Sequence, residues 1–347
     1  MRVSLLAGIS AGLLLAGCGA SEDAAQSEAS EPVVNVYSSR HYDTDLRLYD
    51  DFTEATGIKV NLIEAGADEL IERIQSEGEF SPADLLITVD AGRLWRAEQA
   101  GIFQPVRSEL LESRIPAHLR HPDGLWYGLS TRARVIFYNK AAGKPEPLAT
   151  YADLADPAHS GKLCIRSSGN IYNISLLASI ISRYGAAGAE QWAAAVTENF
   201  ARPPQSNDTG QIRAVASGEC EIAVANTYYV ARLAASEDPA ERAVAEAVGV
   251  IFPDQEQSGT HVNVSGAGIV KTAPNRDNAI RFLEYLTSDQ AQRYFADGNH
   301  EYPAVAAVDG SPELVALGAF KADTLNASEL GIHQAEAIRV FDRAGWP

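Results

Sequence analysis

Cysteine is scarce. The 347 residues hold three, Cys18, Cys164 and Cys220, with no CxxC spacing and no adjacent histidine, which excludes a thiolate zinc centre. Catalytic signatures are missing too. No HExxH, GxSxG, P-loop or GxGxxG string occurs, and the neighbouring Ser39 and His41 lack a nucleophile-elbow context, so an enzyme is not expected. Basic residues are the minority, 28 Lys and Arg against 46 Asp and Glu, for a formal charge of −18. That balance argues against nucleic acid as a partner. It favours solubility and, weakly, a cationic cargo, because salt screens the field over about 10 Å. Beyond the first residues no apolar run is long enough to cross a bilayer.

What is present begins with an export signal. Met1-Arg2 is a minimal basic start, residues 3–15 are mostly apolar, and Leu15-Ala16-Gly17-Cys18 closes the segment. Small residues before a lone cysteine resemble the bacterial lipobox, so residues 1–17 read as a lipoprotein signal peptide with Cys18 as the lipidated mature N-terminus. An ordinary secretory signal with an incidental cysteine is the alternative. Both place the protein outside the cytoplasm, in the periplasm or anchored at a cell membrane. Residues 18–32 are rich in Ala, Ser, Glu and Gln without periodicity and read as a flexible tether. In an oxidising compartment the remaining pair, Cys164 and Cys220, is expected to form one disulfide, two free buried thiols being the alternative.

The remaining stretch of about 315 residues suits two domains. Strand-like runs at 33–37, 58–63, 85–89, 135–138, 163–165 and 221–225 alternate with amphipathic helical patterns at 43–56, 68–75, 91–100, 174–184 and 211–217. The fold class is therefore α/β, with helices layered on mixed, mostly parallel sheets. In such folds ligands bind beyond the carboxyl ends of strands. Three of these ends carry unusual residues: Ser38-Ser39-Arg40-His41-Tyr42, Ser167-Ser168-Gly169-Asn170-Ile171-Tyr172, and Asn226-Thr227-Tyr228-Tyr229. Phenolates are hard anionic donors, and a trivalent cation such as Fe³⁺ is among the few ligands that hold several of them deprotonated below a free pKa of about 10. Singly, each tyrosine reads as packing, as Tyr37, Tyr49, Tyr138 and Tyr184 do. An adjacent pair plus two more at matching strand ends points to a site.

The stretches Tyr37-Ser38-Ser39-Arg40-His41-Tyr42, Ala225-Asn226-Thr227-Tyr228-Tyr229, His261-Val262-Asn263-Val264-Ser265-Gly266-Ala267-Gly268 and Asn299-His300-Glu301-Tyr302-Pro303 resemble those of the bacterial periplasmic ferric-ion-binding proteins. These are solute-binding subunits of ABC importers with the two-lobed type II fold also found in transferrin lobes. The similarity runs in order along nearly the whole mature chain. It implies Fe(III) as cargo, bound by Tyr42 from one lobe and by Tyr172, Tyr228 and Tyr229 from the other, with His41 matching a histidine ligand of one branch. That branch often dispenses with the carbonate or phosphate other members use, so a synergistic anion such as carbonate stays open. A branch using a histidine and a glutamate needs a carboxylate in the first lobe, for which Glu64 is only a remote match by position.

Four phenolates and a neutral imidazole around Fe³⁺ sum to −1, so a guanidinium nearby would stabilise the site. Arg40 and Arg132 are the candidates for that role or for contacting an anion, the alternative for each being a surface ion pair. The resemblance further implies a hinge of two crossover strands near Thr131 and Phe252. It places residues 33–131 and 253–302 in the first lobe and 132–252 and 303–347 in the second. A monomer that delivers iron to an ABC importer permease, tethered to a membrane through lipid on Cys18, is the expected partner arrangement. A competing reading keeps the fold but gives it an organic anion, polyamine or sugar.

Overall fold

The computed structural model describes residues 31–347 except His41, Ser206 and the side chain of Asp43. The expected signal peptide, the lipidation residue Cys18, nearly all of the tether and the candidate ligand His41 lie outside the described residues. Among the described residues no helix is long and apolar enough to cross a membrane.

Among the described residues nine strands form one sheet: β1 Val33–Ser38, β2 Lys59–Glu64, β3 Leu85–Val89, β4 Tyr127–Asn139, β5 Leu163–Cys164, β6 Ile222–Asn226, β7 Val248–Ile251, β8 Val262–Ile269 and β9 Tyr302–Pro303. Their order is β2-β1-β3-β8-β4-β6-β5, with β7 and β9 also pairing β4. The chain opens as a βαβ unit: after β1, the helix Asp43–Thr56 stops at Gly57, whose left-handed φ of 72° a glycine adopts without cost, and β2 returns parallel to β1. Parallel pairing also joins β1 to β3 and β5 to β6. The long strands pair antiparallel, β8 with β3 and β4, and β4 with β6, β7 and β9. The sheet is thus mixed, with a larger antiparallel share than βα alternation suggested.

Most of that antiparallel share comes from β4. Strand β4 pairs β8 through Tyr127–Ala133 and then β6 and β7 through Arg134–Asn139, so a single extended segment serves both halves of the sheet. Residues 252–261 carry the chain back from β7 to β8. Close approach of β8 to its neighbours requires glycine: a Cβ on Gly268 would lie 2.5 Å from the Leu125 carbonyl, and one on Gly266 would lie 2.8 Å from that of Tyr127.

The apolar core divides the same way. One cluster joins Val34, Val36, Leu85 and Ile269 of the strands to Phe52 and Phe282. On β6, Ile222 and Val224 face the helix Ile171–Thr197 and the C-terminal helix Gln334–Ala344, while Ala223 and Ala225 face the helix Asp208–Ser217. This is the period-two alternation of a strand buried on both faces. Cys164 and Cys220 are bonded, with Cα atoms 5.9 Å apart. Closing a loop of 56 residues stabilises the fold by about 4 kcal/mol on chain-entropy grounds.

Candidate metal centre

Each candidate tyrosine stands where a strand or loop hands over to a helix, one step beyond the strand ends expected from the sequence. Tyr42 is the N-cap of Asp43–Thr56. Tyr172 is in the first turn of Ile171–Thr197, whose N-cap Asn170 accepts from the Asn173 amide through its side chain. Tyr228 and Tyr229 are in the first turn of Thr227–Ala235, directly after β6. Helix N-termini carry unpaired N–H groups and the positive end of the dipole, which favours anionic oxygen nearby.

The four phenols line one cleft of about 570 Å³ together with Ser39, Glu64, Arg93 and Arg232. The Tyr228 and Tyr172 hydroxyls lie 3.3 Å apart. The Tyr228 and Tyr229 rings sit 4.1 Å apart by centroid, tilted by 32°. Glu64, only a distant match from sequence, does reach the cleft.

Burial, and then the proximity of Tyr172, Tyr229 and Tyr42, pushes the Tyr228 hydroxyl well above the usual tyrosine pKa. Burial followed by Tyr172 does the same at Tyr229. At Tyr42, burial and Glu301 raise the pKa while Arg40 and Arg232 oppose them. In the metal-free state these three phenols are therefore protonated at neutral pH, because burial disfavours the phenolate first and the neighbouring phenol or carboxylate oxygens disfavour it further.

Of the two arginines lining this cleft, Arg93 and Arg232, it is Arg232 that stands against the phenol rings of Tyr42 and Tyr228. One helical turn beyond Tyr228, its guanidinium stands 4.9 Å from the Tyr42 ring centroid and 4.9 Å from that of Tyr228, hydrogen-bonds Tyr42 and donates to the Asn299 carbonyl at 3.4 Å. Sequence reasoning passed over Arg232 and Arg93. The signal for Arg232 was its i+4 spacing from Tyr228 on a helix, which places both on one face.

Arg40 and Arg132 are not the surface ion pairs that stood as their alternative reading: each is only 2% exposed. Arg40 bonds Asp45 at 3.0 Å and Glu301 at 2.8 Å, and its guanidinium lies 5.0 Å from the Tyr42 ring centroid. Arg132 donates to Ser265 Oγ at 2.9 Å, stands 3.9 Å from Glu301 and 5.8 Å from the Tyr172 ring centroid. Glu301, which also accepts from Ser130 Oγ at 2.6 Å, ties both arginines together behind the tyrosines. Burial alone would raise its pKa, but Arg40 and Arg132 hold the carboxyl below its ordinary range.

A two-part sheet sharing a crossover strand, with a cleft between helix N-termini, defines a solute-binding protein. Residues 80–321 match the family of bacterial extracellular solute-binding proteins, and the chain belongs to it; the family is one of binding proteins and not of enzymes. The chain is 55% identical over 335 residues to iron uptake protein A1 of Synechocystis, covering 96% of this chain and 93% of that protein. It is 27% identical over 318 residues to the major ferric iron-binding protein of Neisseria meningitidis, covering 90% and 92%. Among solved structures, a Trichodesmium protein (IdiA, FutA) in complex with iron and citrate superposes with a TM-score of 0.89 at 56% identity, covering 91% of this chain and all of that one.

Proposed function

We propose that this chain captures Fe(III) with Tyr42, Tyr172, Tyr228 and Tyr229 and hands it to the permease of an ABC importer. The observation that carries the proposal is the gathering of four phenols, from three separate stretches of the sequence, in one cleft. Iron uptake and ferric-binding proteins among the relatives point to the same cargo. His41, next to Tyr42 in sequence, is the proposed fifth ligand. Four phenolates and a neutral imidazole leave a complex of charge −1, which Arg232 compensates at close range and Arg40 and Arg132 from behind.

Capture proceeds by closure. Residues 33–131 with 253–302 form one lobe and 132–252 with 303–347 the other, hinged where β4 changes partners and where residues 252–261 return. Fe(III) meets the three tyrosines of the second lobe first. Tyr42 then swings in, so the metal favours the closed state through the ligand that only closure supplies. A small carboxylate anion accompanying the metal would meet Arg93, Arg96 and Arg166 beside the start of Ile171–Thr197. Lipid on Cys18 would hold the carrier at a membrane.

The test is a titration of purified protein with Fe(III) followed by visible absorption. A phenolate-to-iron charge-transfer band saturating at one iron per chain is expected. A colourless complex would remove the phenols from the metal, as an organic cargo would.

A further inference from the structure

A second cavity, of about 250 Å³, shares no lining residue with the tyrosine cleft. It lies against the crossover. Tyr151, in its wall, donates its hydroxyl to the Arg134 carbonyl on β4 at 2.5 Å and accepts the His261 amide at 3.2 Å, so one phenol joins the outgoing and returning segments. An apolar cavity of about 150 Å³ admits one benzene ring. The cavity therefore has room for a ring with a short substituent.

Its lining is selective. Ile180, Tyr184 and Trp192 supply apolar and aromatic wall. His261 is 4% exposed, and its ring makes no hydrogen bond among the described residues. Burial pushes its pKa down to about 4, which leaves a neutral imidazole with a free acceptor nitrogen. Arg183 is paired with Asp323 and also acts on Asp254, so two carboxylates against one guanidinium leave the wall an excess negative charge. Asp254 holds a left-handed φ of 60° and accepts the Tyr151 amide at 3.2 Å.

We propose that this cavity binds a small protonated amine carried on a single aromatic ring. The ring packs against Ile180, Tyr184 and Trp192, and the ammonium donates to the Asp254 carboxylate and the His261 imidazole. A neutral ligand of the same shape would leave that excess charge unanswered, and an anion would be repelled by it.

The test uses benzylamine as probe and benzyl alcohol as its uncharged match, titrated calorimetrically into the intact protein and into Asp254→Asn. Asparagine tolerates the left-handed backbone, and an unchanged thermal midpoint confirms that the variant is folded. Expected is one benzylamine per chain, bound at least about tenfold more tightly than benzyl alcohol, with that preference abolished in Asp254→Asn. No saturable benzylamine binding to the parent, or equal benzylamine affinity in parent and variant, would overturn the assignment.

Discussion

Tyr172 and Tyr228 place their hydroxyl oxygens 3.3 Å apart, close enough to share one ion, and burial together with Tyr172 holds the Tyr228 hydroxyl protonated without one. Phenylalanine at position 228 removes a donor without changing shape. Tyr228→Phe is expected to fold with stability within about 1 kcal/mol of the parent, since only hydroxyl contacts to Tyr172 and Tyr229 are lost. Its ferric absorption band should shift or bleach, with iron binding weakened by at least about tenfold. An unaltered spectrum in both Tyr228→Phe and Tyr229→Phe would take the pair out of the coordination sphere.

Binding should expel protons. Tyr42, Tyr228 and Tyr229 all have pKa values raised above the ordinary tyrosine range, so each is neutral near pH 7 and must lose its proton to become a ligand. Apparent affinity for iron then rises with pH below those raised values and falls on acidification, the sign expected when the bound state holds fewer protons. A weakly buffered titration with an indicator dye should register proton release from the protein on loading. Affinity independent of pH between about 6 and 8 would contradict phenolate ligation.

Arg232 faces Tyr42 and Tyr228 at equal distance, so its charge should matter more than its bulk. Arg232→Gln is expected to weaken Fe(III) binding by about tenfold and to shift the proton-release profile upward in pH, because the phenolates lose their nearest counter-charge. Arg232→Lys should recover part of the affinity. A glutamine variant with parental affinity and pH profile would make Arg232 a packing residue only.

The Glu301 hub predicts a stability effect separate from iron. Replacing it by Gln leaves Arg40 and Arg132 buried without a shared carboxylate, at a cost of about 3–5 kcal/mol near neutral pH. Its folded pKa is depressed. The stabilisation is therefore full above the unfolded value of about 4.3 and is lost as pH falls through the lower folded value. Denaturant melts of parent and Glu301→Gln should differ most at neutral pH and converge in that acid window.

Much of this was legible in the sequence because it follows local rules. The βα alternation, the stop at Gly57 and the tyrosine-bearing junctions after β1 and β6 were all readable. The helix expected to end at Tyr184 does break there: Gly185 has a non-helical φ of 71° and ψ of 168°, and a further helical stretch continues to Thr197. Strand β4 was only partly visible. Ser130, Thr131, Arg132 and Arg134 interrupt its apolar pattern yet are buried, and three of them bond distant partners: Glu301 for Ser130; Ser265 and Glu301 for Arg132; Asp208, Asn226 and Asn173 for Arg134. Periodicity cannot register a polar residue whose partner lies a hundred residues away. The same limit left Glu301 as one letter of a resembling stretch, without its role as a hub.

The most direct measurement is a crystal structure of the iron-loaded protein with an anomalous difference map collected at the iron edge. The account predicts one strong peak within bonding distance of the phenol oxygens of Tyr42, Tyr172, Tyr228 and Tyr229. A peak elsewhere, or one that any of the four fails to reach in the closed protein, would contradict it.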